Sequence, residues 1–515
     1  MLVCVSLALC LLVFVPITTA QPKPQYGGTL KLCFSNDALI LGWPPEMRTT
    51  NELTMVKASL ETLARYDKNG KHVPHLAEKW MINANAKTVT ISLRKGIKFH
   101  DGTDFNAKSC KWNLDNYRMT SNRPELKDVA SIDIVDDYTV RLNLSRWAND
   151  ILEMMVSPSG YMISPTAYEK NGKEWCQKHP VGTGPFKLVS WERDVKQVYE
   201  KFDGYWQKGK PYLDRIEIIV IADPMVQTVS FLRGEVDILV WPTTKDAKDL
   251  MQKGNYNIVS MKTGMEALQT GILGDSGHPD SPFADVRVRQ AISYALDKQA
   301  LNEIVFKGMG VLTSQWGAPG NWSYNPKVVG FPYNPAKAKE LLSKAGYPNG
   351  FKTKIYCENT AIFYNIVEYA TAIQGYLSKV GIDMAVEPVG TPLFVNMTMQ
   401  TGWSNSLVIW HTKTEPDIVR QMLRGTHSSG IMYTKSIIHP KQTDELIEKA
   451  LSVSDWDTKV ATTHELQRLI FEELAIYTPI CVTPTLAAKY PKVHDDSLAE
   501  ISLPQWTPEN AWKEK

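Results

Sequence analysis

One short segment combines residue types that serve in nucleophilic catalysis. Gly274-Asp275-Ser276-Gly277-His278-Pro279 has the order found around some catalytic serines. Such a serine works only with a histidine base and a carboxylate that orients the base. The upstream histidines do not lie in apolar, small-residue surroundings that suit this base; they are His72, His75, His100 and His179. We therefore interpret the segment as a turn in a loop, with a hydrolase that uses Ser276 as the alternative.

Two further patterns could indicate phosphate or metal binding. Gly204 and Gly209-Lys210 have the spacing of a phosphate-binding loop, but Pro211 stands where a Ser or Thr would ligate magnesium. Of the 10 histidines, only His72 and His75 lie close together, and no His-Glu-x-x-His motif is present. We expect no catalytic residues, no metal site and no cofactor.

Tryptophan is abundant, and several of the 15 tryptophans stand beside turn-forming residues. Aromatic side chains in loops can form walls of a ligand site because they combine a large contact area with a polar group. The alternative is that each one packs beneath its own loop. The residues in question are Trp241, Trp316, Trp322, Trp403 and Trp410.

The periodicity of the chain predicts a mixed α/β protein. Apolar residues alternate with polar ones in 88–94 and 140–144, as in half-buried strands, and Ile216 to Ile221 indicates a strand covered on both faces. Apolar residues at three- and four-residue spacing predict one helix over 286–305. A second helix is predicted over 334–346, because Asn334 can cap it, Pro335 suits its first turn and Gly346 can end it.

Length and composition restrict the class of protein. The chain has 515 residues, is 43% hydrophobic and 22% charged, and carries 57 Lys+Arg against 55 Asp+Glu. This composition excludes intrinsic disorder and favours two or three packed domains. The nearly balanced charge gives no long-range field that would attract nucleic acid.

The first 20 residues predict a cleaved signal peptide. The apolar run from Leu2 to Val15 is about 14 residues long, too short to span a bilayer but typical of a signal core. Small residues before Gln21 suit cleavage there, and Cys10 lies too deep in the run to be a lipidation site. We therefore expect a periplasmic protein that does not span the membrane.

The remaining cysteines are odd in number and scattered, so they indicate neither a disulfide framework nor a zinc site. At most one or two bridges could form. These cysteines are Cys33, Cys110, Cys176, Cys357 and Cys481.

A series of segments, in order along the chain, resembles the bacterial extracellular solute-binding proteins of family 5, which serve ABC importers of peptides, nickel and oligosaccharides. The matching segments are Tyr26-Gly27-Gly28-Thr29-Leu30, Glu61-Thr62-Leu63, His75-Leu76-Ala77-Glu78-Lys79-Trp80, residues 93–102, Pro180-Val181-Gly182-Thr183-Gly184-Pro185-Phe186, Phe202-Asp203-Gly204-Tyr205-Trp206, Gly234-Glu235-Val236-Asp237, residues 285–297, Tyr333-Asn334-Pro335 and Ala345-Gly346-Tyr347.

The resemblance implies a large, type II periplasmic-binding-protein fold: two α/β lobes joined by a hinge, with an extra subdomain inserted in the first. After the signal peptide (1–20), lobe I would comprise 21–62, 187–270 and 487–515, the inserted subdomain 63–186, and lobe II 271–486. The implied function is capture of a small-molecule or peptide ligand and its delivery to permease subunits, by a monomer that is not an enzyme. A periplasmic chaperone or receptor on the same fold is a further alternative.

The resemblance also suggests where a ligand binds. Peptide-binding members hold the ligand ammonium with an Asp that precedes Pro, and here Glu415 precedes Pro416. Glu415 is therefore predicted as an anionic anchor, with Asp417 as the fallback; a helix cap at Glu415 is the alternative. The full predicted ligand site is Asn36, Trp241, Trp316, Trp322, Tyr324, Trp403, Trp410, His411, Glu415 and Asp417.

Overall fold

The computed structural model describes residues 23–47, 49–67, 69–120, 126–261, 264–358, 366–415, 417–483, 485–498 and 506–515. The predicted signal peptide and Pro416 lie outside these ranges. The described strands are β1 (Thr29–Phe34), β2 (Glu61–Thr62), β3 (Ala64–Tyr66), β4 (His72–Pro74), β5 (Ala77–Asn83), β6 (Thr88–Leu93), β7 (Val129–Asp136), β8 (Thr139–Leu144), β9 (Tyr161–Met162), β10 (Phe186–Glu192), β11 (Lys196–Lys201), β12 (Arg215–Val220), β13 (Ile238–Val240), β14 (Asn257–Met261), β15 (Gly264–Gly274), β16 (Val311–Leu312), β17 (Phe351–Glu358), β18 (Ile382–Val389), β19 (Leu407–Thr414), β20 (Tyr477–Val482), β21 (Thr485–Lys489), β22 (Val493–His494) and β23 (Trp512–Lys513).

The described α-helices alternate with these strands along much of the chain. They are α1 (Thr50–Met55), α2 (Ala107–Thr120), α3 (Pro165–Asn171), α4 (Lys173–Lys178), α5 (Pro224–Leu232), α6 (Thr244–Lys253), α7 (Val286–Ala295), α8 (Lys298–Phe306), α9 (Pro335–Lys344), α10 (Ile366–Ser378), α11 (Thr391–Asn396), α12 (Val419–Gly425), α13 (Lys441–Ser452) and α14 (Trp456–Arg468).

The first lobe is built on a seven-stranded sheet with the order β10-β11-β12-β1-β13-β21-β14. β1 pairs in parallel with β12 and β13 at its centre, and β21 returns from the far end of the chain to pair antiparallel with β13 and β14. In the predicted strand at Ile216, β12 pairs with neighbours on both sides and buries Ile216 and Ile218 completely.

The second lobe is built on a six-stranded sheet with the order β16-β20-β15-β19-β17-β18. The chain changes sheet between Met261 and Gly264 and returns between Val482 and Thr485. Residues 264–270, which the sequence-based division gives to lobe I, therefore belong to a strand of the second lobe, and residues 485–486, which it gives to lobe II, belong to a strand of the first. Gly271 does not mark a break in the strand: a Cβ there would lie 2.2 Å from the Thr478 carbonyl oxygen, so glycine permits close strand packing.

A separate four-stranded antiparallel sheet, β5-β6-β8-β7, lies within residues 77–144 and has its own apolar core against α2. It falls inside the predicted inserted subdomain, residues 63–186, which we call the insertion. The predicted strands at 88–94 and 140–144 are confirmed as β6 and β8.

The helix predictions have mixed outcomes. The one continuous helix expected over 286–305 is wrong, because Leu296 is extended (φ −99°, ψ 119°) and the Asp297 side chain caps a new helix, α8. The helix at 334–346 is confirmed as α9, where the Asn334 side chain accepts a hydrogen bond from the Lys337 N–H at 2.9 Å.

Candidate functional site

A group of ionisable side chains marks the boundary between the two lobes. On the first lobe, Tyr66 and His72 face each other across the β3–β4 hairpin, with ring centroids 5.0 Å apart. The Tyr66 hydroxyl donates a hydrogen bond to the Glu153 carboxylate, and His72 Nε2 lies 3.1 Å from the other Glu153 oxygen. The hairpin thus holds Glu153 in place from two sides.

Two carboxylates of the second lobe influence the pKa of the Tyr66 hydroxyl. Burial raises the pKa of Tyr66 well above its ordinary value, the neighbouring Glu153 raises it further, and Glu415 and Asp417 of the second lobe act in the same direction. The charges of carboxylates from both lobes therefore act on one phenol. We call Glu153, Glu415 and Asp417 the acidic cluster.

The surroundings of Glu153 favour its charged form. Burial opposes the charged form, but the charge and hydrogen bond of His72, together with the Tyr66 hydroxyl, hold the pKa of Glu153 below its ordinary value. A buried, charged carboxylate at a lobe boundary can bind a cationic group of a ligand.

Asp417 has strong contacts within its own lobe. Its carboxylate forms an ion pair with Lys459 of α14, and both residues are buried. Its other oxygen accepts a hydrogen bond from the Val419 N–H at 3.0 Å, at the start of α12. Helix α12 begins at Val419, so the alternative in which Glu415 caps a helix starting near Pro416 is wrong.

Glu415 directly follows β19 and is partly buried at the lobe boundary. Its position at the end of a strand gives it a rigid support, and its charge acts on Tyr66 of the opposite lobe. A role in binding the ligand stays a prediction.

One of the predicted aromatic residues, Trp322, contacts the lysine that pairs with Asp417. The Trp322 ring is partly buried, and Lys459 Nζ lies 5.3 Å from its centroid. Trp322 also packs against Trp456, which is 37% exposed and has Lys71 Nζ of the insertion 5.5 Å from its ring centroid. Tyr324 is partly buried and follows in the same loop.

Three predicted tryptophans lie in the hydrophobic core of the second lobe: Trp316, Trp403 and Trp410. The interpretation of Trp410 as a loop residue is wrong, because it lies within β19. Alternate residues of β19 face opposite sides of the sheet, and helices cover both sides: Ile409 packs in one core and Trp410 in the other. Trp410 is 0% exposed and its indole N–H donates to the Ile272 carbonyl at 3.2 Å.

The other three predicted residues are spread over both lobes. His411 stacks on Phe394 with centroids 6.0 Å apart, and burial lowers the pKa of this imidazole. Trp241 packs edge-on against Phe34 in the first lobe, and the exposed Asn36 accepts a hydrogen bond from the Asn51 side chain at 2.7 Å through its carbonyl. Ligand contact by each remains a prediction.

The structure brings together residues that sequence reasoning missed. Tyr66, His72 and Glu153 come from the insertion, and Lys459 and Trp456 come from α14. The short, polar segment from Tyr66 to His72 was the only local sequence pattern that could have indicated these residues. Glu153 stands in an apolar segment that has no distinguishing pattern.

A buried polar network surrounds Glu61, which lies in β2, just before β3. Glu61 is 1% exposed and accepts hydrogen bonds from Thr183 (2.8 Å), Tyr205 (2.7 Å) and Trp206 (2.9 Å). His75 Nε2 lies 3.3 Å from it and Arg65 lies 4.0 Å from it. We call these residues, with Glu509, the Glu61 cluster.

The Glu61 cluster depends on close backbone packing. A Cβ at Gly182 would lie 2.2 Å from the Ser59 carbonyl oxygen, and at Gly184 it would lie 2.6 Å from the Ser59 carbonyl carbon. Glycines on both sides of Thr183 therefore let its hydroxyl reach Glu61. Arg65 turns into this network and pairs with Glu509 at 2.5 Å, while the adjacent Tyr66 faces the other lobe.

Ser276 is buried, with 2% of its surface exposed, and its hydroxyl accepts a hydrogen bond from the Ile438 N–H at 3.2 Å. His278 pairs with Asp275. Among the described residues no histidine hydrogen-bonds this serine.

Three further features of the described residues bear on function. They contain no group of three or more His, Cys, Asp or Glu that could hold a metal ion. Across the same ranges, no helix combines the length and the apolar character needed to cross a bilayer. All five cysteines named above are buried and unbridged.

The fold and the boundary between its lobes define a two-lobed periplasmic binding protein. HbpA2 from Haemophilus parasuis superposes with a TM-score of 0.83 at 20% identity, covering 95% of this chain and 100% of that one. The periplasmic binding protein DppA from Helicobacter pylori, solved in complex with the peptide STSA, gives 0.73 at 24% identity and covers 95% and 99%.

Sequence comparison identifies the family. Residues 71–430 match the model for bacterial extracellular solute-binding proteins, family 5 Middle. The glutathione-binding protein GsiB of Shigella flexneri serotype 5b is 31% identical over 467 residues, which cover 86% of this chain and 87% of that protein. The chain belongs to family 5 of the bacterial extracellular solute-binding proteins, so the resemblance drawn from the sequence is confirmed. The protein captures a small ligand between its lobes for delivery to an ABC permease.

Proposed function

We propose that the ligand is a short, peptide-like solute with a free ammonium group and that Glu415 binds this group. Two observations support the proposal. Arg420 of the second lobe lies 3.1 Å from Asp150, one turn before Glu153, and the charges of Glu415 and Asp417 raise the pKa of Tyr66, whose hydroxyl donates to Glu153. A cation between Glu153 and Glu415 would contact both lobes at once. Its binding would therefore favour the closed state over the open one.

The fallback anchor, Asp417, has partners within its own lobe. Its carboxylate already neutralises Lys459 and accepts a hydrogen bond from the start of α12. Binding a ligand through Asp417 would require breaking a buried ion pair, which is unfavourable.

The names of similar proteins support the choice of ligand class. The relative from Shigella flexneri is a glutathione-binding protein, and DppA from Helicobacter pylori holds the peptide STSA. Both compounds carry a free α-ammonium group and several amide bonds, so each has the cationic group that the proposal requires.

The test is calorimetric titration with glutathione and with the tetrapeptide Ser-Thr-Ser-Ala, each with a free and an acetylated amino terminus. Removing one partner of a closed-cleft ion pair typically costs about 2–5 kcal/mol. We expect Glu415→Gln to weaken binding of a free peptide by that amount, and acetylation to do the same to the parent protein. Glu235→Gln is the control, since Glu235 is exposed on the first lobe.

Two results would contradict the proposal. One is equal affinity of the parent protein for free and acetylated forms of a peptide that it binds. The other is unchanged affinity of the Glu415→Gln variant for that peptide.

We further propose that the protein is exported by a signal peptide that is cleaved before Gln21. It acts in the periplasm as a monomer and catalyses no reaction. Intact-mass measurement of the secreted protein tests the cleavage site, and light scattering tests the oligomeric state. Ser276→Ala should retain every function, because the Ser276 hydroxyl is buried against the Ile438 N–H. Loss of an activity in this variant would favour the hydrolase.

A further inference from the structure

A short segment of the insertion, Trp147 to Asp150, contacts the second lobe away from the acidic cluster. The Trp147 indole N–H donates a hydrogen bond to the Ser452 carbonyl at 2.8 Å. The Asn149 amide donates to two carbonyls, those of Ala450 at 2.7 Å and Val453 at 2.8 Å. These acceptors lie at the C-terminal end of α13.

These hydrogen bonds link the two lobes at the C-terminal end of α13. The last carbonyl groups of an α-helix have no partner within the helix, and they attract hydrogen-bond donors from elsewhere. In α13, donors for Ala450 and Ser452 come from the opposite lobe. Opening the cleft would separate the donors from these carbonyls.

An ion pair adds to the same contact. Arg420 Nε of α12 lies 3.1 Å from the carboxylate of Asp150, with exposed side-chain fractions of 20% and 15%. Arg420 stands one turn after Asp417, and Asp150 shares a 3-10 helix with Glu153. The contact is therefore joined to the acidic cluster through short, rigid pieces of chain on both lobes.

We propose that Trp147, Asn149 and the Asp150–Arg420 pair form a latch that stabilises the closed state independently of the ligand. Trp147 and Asn149 are positioning residues: they act on the equilibrium between open and closed protein. Since a ligand binds the closed form, its apparent dissociation constant scales inversely with the population of that form. The latch should thus change affinity for different solutes by the same factor.

The first test uses ligand-free protein in small-angle X-ray scattering. Asn149→Asp keeps the side-chain size but replaces the donor by a carboxylate, which the negative end of α13 also repels. We expect a larger radius of gyration for this variant than for the parent. The control is Asn171→Asp, because Asn171 donates to the Ala167 carbonyl at 2.9 Å within its own helix, α3.

Trp147→Phe tests the same contact in case the first variant fails to fold. It keeps an aromatic ring and loses only the N–H donor. It should enlarge the radius of gyration in the same direction, by less. A radius equal to that of the parent in both folded variants would overturn the latch. Because scattering needs no ligand, this result is separate from the test of the peptide proposal.

The second test is titration of Asn149→Asp with glutathione and with Ser-Thr-Ser-Ala. Loss of two hydrogen bonds should weaken the binding of each compound by about tenfold, by a common factor. A variant that weakens one compound and not the other would contradict the latch and place Asn149 in the ligand site.

Discussion

Replacing Glu61 by glutamine removes one charge from a buried, hydrogen-bonded carboxylate of the first lobe and leaves its shape intact. Glu61 accepts three hydrogen bonds through its two oxygens, from Thr183 and Trp206 on one and from Tyr205 on the other. The glutamine oxygen can keep the first two donors. Its NH₂ group then faces the Tyr205 hydroxyl and His75.

The expected loss in free energy of unfolding follows from the interactions that the glutamine amide cannot make. A hydrogen bond to a charged group contributes about 1.5–3 kcal/mol, and breaking a buried ion pair costs about 3–5 kcal/mol. Glutamine retains part of the hydrogen bonding, and Arg65 retains Glu509 as its partner. We therefore expect Glu61→Gln to lower the free energy of unfolding by about 2–4 kcal/mol, and Glu61→Leu to lower it further.

Urea unfolding at several pH values is the assay. Burial opposes the charged form of Glu61, but His75 and Arg65 hold its pKa below the ordinary value. The stabilisation is thus complete above the unfolded pKa of about 4.3 and is lost as the pH falls through the folded pKa. The difference between parent and Glu61→Gln should be full at neutral pH and shrink in acid.

Two outcomes would refute this reasoning. A loss below about 1 kcal/mol at neutral pH would mean that the network contributes little beyond ordinary hydrogen bonds. A difference that stays constant into strong acid would mean that the charge of Glu61 is not the source of the stabilisation. Glu200→Gln is a suitable control, because Glu200 forms an exposed pair with Arg215.

Two further substitutions test the second lobe by urea unfolding. Trp410→Ala should lower the free energy of unfolding of ligand-free protein by about 3–5 kcal/mol, because it leaves a cavity at a fully buried site. A small loss of stability with weakened ligand binding would instead make Trp410 a cleft residue. Lys459→Met should cost about 3–5 kcal/mol, because it leaves the buried Asp417 carboxylate unpaired. Adding Asp417→Asn should restore part of that loss, and failure to do so would contradict the ion-pair explanation.

Local patterns predicted many elements of the fold because they depend on neighbouring residues. The alternation in β6 and β8, and the Asn334 cap of α9, need no information from distant parts of the chain. The same reasoning misplaced Trp410: a tryptophan followed by His411 and Thr412 suggests a loop, but β19 is covered by helices on both faces. Burial on both faces is a property of the assembled sheet.

The site was harder to predict because its halves are far apart in sequence. Glu415 was predicted through the resemblance, whereas Tyr66 and Glu153 have no sequence signal that links them to it. Only the docking of the insertion on the second lobe brings these residues together. The alternative of a helix cap at Glu415 arose because a sequence does not show that α12 starts at Val419.

The acidic cluster and the latch share their supports, and this has a consequence for specificity. Residues 149–155 form one 3-10 helix, so Asn149 and Glu153 move together when the lobes approach. On the other lobe, Asp417 accepts a hydrogen bond from the first residue of α12 and Arg420 lies in the first turn of that helix, so they also move together. A ligand that draws Glu153 towards Glu415 therefore closes the latch in the same motion. Substitutions in the latch should alter affinity for all solutes alike, whereas substitutions at Glu415 should alter which solutes bind, and this contrast separates the two roles experimentally.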